Sequence, residues 1–166
     1  METFDQVRKK IAAMSENVRR VAPVIIAQTA VEHYKERFTK KEWDGVQWVA
    51  AKDPPSYGSL MVRSGALMST IRPKVISDNE VIISAGGAKV PYARIHNQGG
   101  VIQHPGGTAS RKIDNRFVWV ANNKIAGQDL PRTKAHKITI PQRQFMGYSK
   151  ILNKKILERL KPLCKL

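Results

Sequence analysis

The first part of the chain carries apolar residues at intervals of three and four. This spacing puts them along one side of a helix, with charged residues on the other faces. It predicts a helical segment over roughly 3–38 that packs on a core, since the repeat is short for a coiled coil. Pro23 is expected to end or kink the helix, because proline lacks the N–H that a helix interior needs. The apolar positions are Phe4, Val7, Ile11, Met14, Val18 and Val21, continued by Ala27, Tyr34 and Phe38.

Residues 39–57 lose the helical period and contain Trp43 and Trp48. They predict a loop that two aromatic side chains pin to the core, although an exposed pair would serve as an interface anchor. Ser64 is placed to cap a short helix after this loop. Two β-branched runs then flank Asp78-Asn79, which predicts a β-hairpin.

The stretch Val90–Gly100 predicts a short helix with a forced stop. Pro91 suits the first turn of a helix, where its missing N–H has no helical partner to lose. Gly99 and Gly100 would end the helix, because glycine adopts the left-handed conformation without a Cβ clash.

Strand-like runs follow at 101–104, 117–121 and 137–140, separated by polar segments with glycine and proline. They predict a long, basic, hairpin-like arm over 101–137. Leu152, Ile156 and Leu160 then recur every four residues among basic residues, which predicts a cationic amphipathic helix of about 148–161.

Together the elements predict an α+β fold in which N-terminal helices and a C-terminal helix pack on a curved antiparallel sheet carrying the basic arm. The length predicts a single domain over 1–166. Its expected parts are a helical segment at 1–38, a sheet-rich core at 39–147 and a C-terminal helix and tail at 148–166.

The net charge of +16 comes from 29 basic and 13 acidic residues and is concentrated late in the chain. Residues 101–166 hold 14 basic and 3 acidic residues, a net +11. This asymmetry indicates either a surface that meets a polyanion or a solvated surface that keeps the protein soluble. The single cysteine, Cys164, favours a reducing compartment, and no apolar run is long enough to cross a bilayer, so no membrane partner is expected.

No catalytic set is visible in the sequence. Acidic residues are scarce, and no phosphate-binding glycine motif occurs. Three of the four histidines, His96, His104 and His136, lie in or near the strand-rich half and would be enough for a zinc site if they converged. Their spacing does not support that reading, so we expect neither enzyme activity nor a cofactor or metal.

Four motifs occur in order along residues 1–150, and as a set they resemble the virion morphogenesis, or tail completion, family of tailed bacteriophages, including its Mu-type G-like members. The third and fourth motifs match the family patterns Tyr-Ala-x-Ile-His-Gln-x-Gly and Ile-Pro-Ala-Arg-Pro-Phe, except that Asn97 replaces Gln and Gln142 and Gln144 replace Ala and Pro. The motifs are Phe38 with Trp43-Asp-Gly-Val-Gln-Trp48, Leu60 through Ser64-Gly-Ala-Leu-Met-Ser-Thr-Ile71, Pro91-Tyr-Ala-Arg-Ile-His-Asn-Gln-Gly-Gly100, and Ile140-Pro-Gln-Arg-Gln-Phe-Met-Gly147.

The resemblance implies a non-enzymatic structural subunit at the head–tail junction or tail end. It implies a homo-oligomeric ring, contacts with other phage head or tail proteins, and a place in the virion after assembly in the host bacterial cytoplasm. The motif residues are expected to form the packed core of the scaffold, His96 and Arg143 included. They are Trp48, Gly65, Leu67, Tyr92, Ala93, His96, Gly99, Pro141, Arg143 and Phe145.

The basic arm is expected to face DNA or a partner protein, touching phosphates without reading sequence. Its candidate residues are Arg111, Lys112, Arg116, Lys124, Arg132, Lys134 and Lys137. Two other hypotheses stay open: a free nucleic-acid-binding protein with strongly salt-dependent affinity, and a metal-dependent hydrolase.

Overall fold

The computed structural model describes residues 4–52, 56–107, 110–113, 116–119, 124–125, 128–129 and 134–164, and they form the predicted α+β fold. The chain divides into two compact units. One contains residues 1–98 and 142–166, and the other contains residues 99–141. Folding as a single domain over 1–166 stays a prediction.

The first element is one long helix, α1, from Phe4 to Lys40, and it runs through Pro23 without a break. The predicted helical segment is confirmed and Pro23 does not end it, while a kink at Pro23 stays a prediction. Proline removes one backbone hydrogen bond, but Pro23 is itself buried and the helix beyond it packs tightly, with Ala27 and Ala30 buried. Packing of this kind supplies most helix stability in proteins and outweighs one lost bond.

The remaining elements of the first unit are short. A small antiparallel ribbon within the predicted loop pairs β1 (Glu42–Trp43) with β2 (Val46–Gln47), and its turn residues Asp44 and Gly45 have positive φ. The bounds of the other elements are α2 Ala66–Ser69, β3 Arg72–Ile76, β4 Val81–Ser84, α3 Ala93–Gln98, α4 Lys150–Leu160 and a 3-10 turn at Lys161–Cys164.

The predicted hairpin around Asp78-Asn79 is confirmed. Strands β3 and β4 pair antiparallel, with Ile76 opposite Val81 and a register shift next to Pro73. A bulge suits proline in a strand, because proline has no N–H for the ladder. Both strands pack on α1, which fixes the hairpin against the core.

The helix ends follow local chemistry. The predicted short helix before the glycine pair is α3, and Gly99 ends it with φ 72°. Helix α2 begins after Gly65, which has φ 74°, so Ser64 is not its cap; the Ser64 hydroxyl only accepts a 3.4 Å bond from the Ala66 N–H. Ser149 caps α4 by accepting from the Leu152 N–H at 3.0 Å.

One hydrophobic core holds the first unit together. Phe38 on α1 meets Trp48 edge to face at 5.6 Å and Phe145 at 5.1 Å between ring centroids. These rings join buried residues of α2, α3 and α4 in one cluster. Aromatic pairs in this geometry each add about 0.5–1.5 kcal/mol beyond the area they bury.

The second unit is built on β5 (Gly100–His104) and β10 (His136–Ile140), which pair antiparallel throughout. Between them lie two short antiparallel pairs. These are β6 (Ser110–Ile113) with β7 (Arg116–Trp119), and β8 (Lys124–Ile125) with β9 (Gln128–Asp129). The pairing of β5 with β10 joins the two ends of the predicted arm.

The described strands form five separate two-stranded ribbons, so the single curved sheet expected from the sequence is not found among them. The physical reason lies in the connections. Helix α3 follows β4, and the next strand pairs with β10 in the other unit, so the hairpin β3–β4 gains no third strand.

Candidate functional site

The segment 142–149 connects to three separate parts of the first unit. The Trp48 indole N–H donates to the carbonyl oxygen of Gln144 at 2.8 Å. The Tyr34 hydroxyl donates to the carbonyl oxygen of Gly147 at 3.0 Å, and burial raises the pKa of this phenol. Buried backbone groups need such partners, so these side chains fix the path of the segment.

Asn97, at the end of α3, makes the densest set of these bonds. Its Oδ1 accepts from the N–H groups of Phe145 and Met146 at 2.9 and 3.0 Å, and its Nδ2 donates to the carbonyl oxygen of Met146 at 3.0 Å. Its own carbonyl accepts from Gln142 at 3.3 Å. The third and fourth sequence motifs therefore meet through this residue, which the sequence marked only as a departure from the family pattern.

Arg143 is buried between the same motifs. Its Nε donates to the carbonyl oxygen of Val49 at 2.9 Å and its Nη2 to that of Ala50 at 3.3 Å, while its backbone N–H donates to His96 O at 2.8 Å. No carboxylate pairs with it among the described residues. Burial lowers the pKa of this guanidinium, because the cation loses water without gaining an opposite charge.

A groove opens beside Arg143, with a cavity volume of about 360 Å³. Three of the four motifs contribute to its lining. Leu67 and Arg143 are its most buried residues, and Arg63 is exposed at its edge, lying over the Tyr57 ring at 5.6 Å. The lining consists of Ala51, Ser59, Leu60, Met61, Arg63, Ser64, Gly65, Ala66, Leu67, Tyr92, His96 and Arg143.

Tyr92 corrects the expectation that every motif residue is core. It is 41% exposed, because it lies just before α3 and its ring packs edge to face on His96, one turn further on, at 5.8 Å. His96 is half-buried, and its Nδ1 is buried without a hydrogen-bond partner among the described residues. Burial and the nearby Arg143 cation lower the pKa of His96, so its ring is neutral near pH 7.

The other motif residues have structural places. Four of them lie in the core cluster, namely Trp48, Leu67, Ala93 and Phe145. Gly65 precedes α2 and Gly99 ends α3, both with positive φ. Pro141 directly follows β10 and belongs to the second unit. The motifs thus supply both the core and the wall of the groove.

A family model described as the phage virion morphogenesis family matches residues 1–163. The chain belongs to this family. Its role is therefore structural, in the assembly of a phage particle, and the protein is virion-associated. No curated protein and no solved structure matches the chain significantly.

For a virion morphogenesis protein, the candidate basic residues are of interest as contacts to DNA or to other particle proteins. The backbone places Arg111 and Lys112 on β6, Arg116 on β7 and Lys124 on β8, but their side chains lie outside the described part of the structure. Arg132 lies outside it altogether. Lys134 and Lys137 are exposed. Their contact with DNA stays a prediction.

One buried cluster has the residue types of a hydrolase triad without its geometry. The Ser149 hydroxyl donates to Asp44 Oδ1, and His33 Nε2 lies 3.3 Å from the same hydroxyl oxygen. Because the serine proton goes to Asp44, His33 must donate from Nε2, which leaves its buried Nδ1 without a proton or a partner. In a triad the carboxylate holds the histidine and the histidine takes the serine proton. This cluster instead fixes the start of α4.

The histidines do not form a metal centre in the part of the chain that is described, where no group of three potential ligands occurs. His104 and His136 face each other on β5 and β10, with ring centroids 4.8 Å apart and nearly parallel planes. Within the described ranges, no helix combines the length and hydropathy that a membrane span requires.

Proposed function

We propose that the chain is a structural subunit of the phage head–tail junction or tail end, assembled in the host cytoplasm as a ring of copies. Membership of the virion morphogenesis family supports an assembly role, and the ordered motifs support a tail completion role like that of the Mu-type members. The observation that favours a ring-forming subunit is the exposed apolar surface of the ribbon β5–β10.

The ribbon carries apolar residues on both of its faces. Ile102 and Ile138 are directly opposite each other and are 41% and 37% exposed, while Val101, next in sequence, is 53% exposed. Successive residues of a strand point to opposite faces, so each face of the ribbon has an exposed apolar side chain. Among the described strands, β5 and β10 pair only with each other, which leaves an unpaired edge on each. Such edges pair readily with another chain.

The test combines the oligomeric state of the purified protein with its position in the particle. Sedimentation and electron microscopy should show rings or higher oligomers, in the presence of neighbouring virion proteins where these are needed. Replacing Ile102 and Ile138 together by Ser should lower ring formation at least tenfold, whereas the matched exposed change Gln103→Ser should not. A chain that stays monomeric under every assembly condition and is absent from particles would overturn the proposal.

The second candidate is non-specific nucleic-acid binding, and charge favours it. Residues 99–141 contain seven basic and two acidic residues, a net +5. Each phosphate contact should add about 0.9 to the slope of log affinity against log salt on duplex DNA. Arg143 is unsuitable for this test because it is buried and structural.

The deciding comparison neutralises Arg132, Lys134 and Lys137 to Gln. The matched control neutralises three exposed lysines near the C-terminus, Lys150 and Lys154 on α4 and Lys161 directly after it. DNA binding through the arm requires a loss of affinity and a salt slope lower by up to about 3 in the first variant only. Equal effects of the two triple changes, or no DNA binding at low salt, would remove this candidate.

A further inference from the structure

We propose that the groove beside Arg143 binds an acidic side chain, flanked by apolar residues, from a neighbouring protein of the particle. This inference rests on the proposed assembly function, because that function supplies the neighbour. It adds a site and a chemistry that neither the family membership nor the ribbon β5–β10 provides.

Charge is the first argument. Among the lining residues that the structure describes none is acidic, whereas the buried Arg143 and the exposed Arg63 both line the groove. The two nitrogens of Arg143 that form side-chain bonds, Nε and Nη2, donate to backbone carbonyls, and its Nη1 has no partner among the described residues. A buried cation that has lost water is stabilised by an opposite charge, so the groove favours an anion that reaches its base.

Shape and polarity supply the second argument. Much of the remaining lining is apolar, including Leu60, Met61, Ala66 and Leu67. The volume of about 360 Å³ lies in the range of about 300–1,000 Å³ that is common for ligand pockets. An occupant that fills it must therefore bring hydrocarbon as well as a charge.

The wall of the groove also contains a strained residue. Met61 has φ 64°, a backbone conformation that is uncommon for residues other than glycine and asparagine. The turn that holds it is closed by hydrogen bonds of 2.7 and 2.9 Å between the backbones of Ser59 and Val62. Strain that the surrounding structure maintains is more common at binding sites than elsewhere.

These features favour a peptide segment over DNA. A guanidinium at the base of a cavity is reached by a side chain that projects from a backbone. The phosphates of a duplex instead meet side chains that extend from the protein surface. The apolar lining would also remain uncovered under a phosphate backbone. We therefore commit to an acidic peptide segment, and DNA becomes an outcome of the test.

The test uses two blocked dipeptides, acetyl-Leu-Glu-amide and its neutral isostere acetyl-Leu-Gln-amide, added to the whole protein and followed by two-dimensional NMR. The Glu peptide should shift signals of groove residues such as Ala51, Ala66 and Tyr92. The Gln peptide should bind about tenfold more weakly, which is the loss expected when a charge-assisted hydrogen bond becomes a neutral one. No shift up to the solubility limit, or equal shifts by both peptides, would overturn the inference.

Two charge-reversal variants distinguish binding in the groove from attraction by the overall positive charge of the protein. Arg63→Glu reverses the charge at the groove edge, and Arg72→Glu makes the same change at an exposed residue of β3 outside the groove. Only the first should reduce binding of the Glu peptide, and Ala66→Leu should also reduce it by filling the cavity. Equal losses in both arginine variants would show a non-specific field. A short duplex DNA that displaces the peptide and shifts the same signals more strongly would assign the site to nucleic acid instead.

Particle assembly distinguishes this inference from the proposed function. We expect Arg63→Glu to be incorporated into phage particles at least tenfold less than Arg72→Glu. If both variants enter particles normally, the groove inference fails and the assembly function stands. If even the unaltered chain is absent from particles, the proposed function itself fails.

Discussion

The side-chain amide of Asn97 binds both the N–H and the carbonyl oxygen of Met146, each at 3.0 Å. The same Oδ1 also accepts from the N–H of Phe145. The Asn97 amide thus satisfies backbone groups at Phe145 and Met146 that a neighbouring β-strand would otherwise satisfy. It joins the end of α3 to the segment that carries the buried Phe145 and Arg143.

We expect Asn97→Ala to lower the free energy of unfolding by about 2–4 kcal/mol, because it leaves the part-buried N–H groups of Phe145 and Met146 without partners. The Met146 carbonyl oxygen would keep only the 3.4 Å bond from Gln144 Nε2. Asn97→Asp keeps the acceptor for two N–H groups and should cost less than the Ala change. The neighbouring exposed Gln98→Ala should stay within about 0.5 kcal/mol. Urea denaturation gives the unfolding free energies of the three variants. An Asn97→Ala protein as stable as Gln98→Ala would contradict a stabilising role of the Asn97 side chain.

Stability should fall as the pH drops from 7 to about 4, because of His33. Burial, helped by the Arg37 and Lys155 cations, lowers the pKa of His33 from 6.5 to about 4. Between these pH values His33 is protonated in the unfolded chain but not in the folded chain. Proton binding therefore stabilises the unfolded state relative to the folded state. We expect a loss on the order of 2 kcal/mol over this window, with His96 adding a change of the same sign.

The variant that checks this assignment is His33→Gln, whose amide retains a donor for Ser149. Its unfolding free energy should depend less on pH between 7 and 4 than that of the unaltered protein. His136→Gln, which removes an exposed histidine on β10, is the matched control for the loss of one histidine. Parallel pH curves for all three proteins would exclude His33 as the source.

Glu36 connects the two longest helices through its carboxylate. It accepts from Lys155 on α4 at 2.7 Å, and from Arg37 and Lys40 on α1 at 2.9 Å each. Hydrogen bonds from Lys155 and Lys40 lower the pKa of Glu36 from 4.5 to about 2. Its stabilising effect is therefore complete above pH 4.5 and is lost as the pH falls toward 2.

We expect Glu36→Gln to cost about 1–2 kcal/mol at pH 7, since it leaves the buried Arg37 with Glu42 as its remaining carboxylate partner. The matched change Glu32→Gln breaks only an exposed pair with Arg159 and should cost about 0.5 kcal/mol or less. Thermal or urea unfolding at pH 7 and below pH 4 checks both, because the Glu36 effect should shrink at the lower pH. Equal costs for the two variants would contradict the role of Glu36.

Gly86 permits a close approach between the end of β4 and the start of α3. A Cβ atom at this position would lie 2.8 Å from the Ala93 Cβ and 3.2 Å from the Val90 carbonyl oxygen, and φ is 89°. Gly86→Ala should cost about 2–4 kcal/mol, from the clash and the strained backbone together. The control is Gly45→Ala, because Gly45 has a similar φ of 88° but a Cβ atom there would have no atom within 4 Å. Its cost, about 1 kcal/mol, therefore measures the effect of the backbone conformation alone. Denaturant midpoints of the two variants measure the difference.

Local signals predicted two of the short elements correctly, the hairpin β3–β4 and the end of α3. The turn residues Asp78-Asn79 predicted the hairpin β3–β4, and Gly99 predicted the end of α3, because both depend on conformations that neighbouring residues set by themselves. The apolar period predicted helix on both sides of Pro23, but it could not decide the continuity of α1 there. That continuity depends on packing partners from elsewhere in the chain, and these outweigh the local cost of proline.

The site was predicted only in part. Four of the motif residues, Trp48, Leu67, Ala93 and Phe145, lie in one core cluster, but the groove and the exposure of Tyr92 were not foreseen. The contacts of Asn97 with Phe145 and Met146 join positions 48 and 49 residues apart. A single sequence contains no signal for such a pairing, since an asparagine in the last turn of a short helix is an ordinary surface residue in most proteins.

The bond between the Trp48 indole and the Gln144 carbonyl spans 96 residues, which has a consequence for synthesis on the ribosome. The ring cluster around Phe38 cannot close until that whole length has been translated, because Phe145 arrives with the same segment. Until then the nascent helix α1 has an incomplete apolar face, which favours chaperone binding or aggregation. The groove is therefore completed late in translation, because Arg143 lines it. A partner that binds the groove would select subunits in which this part of the chain has been made and folded.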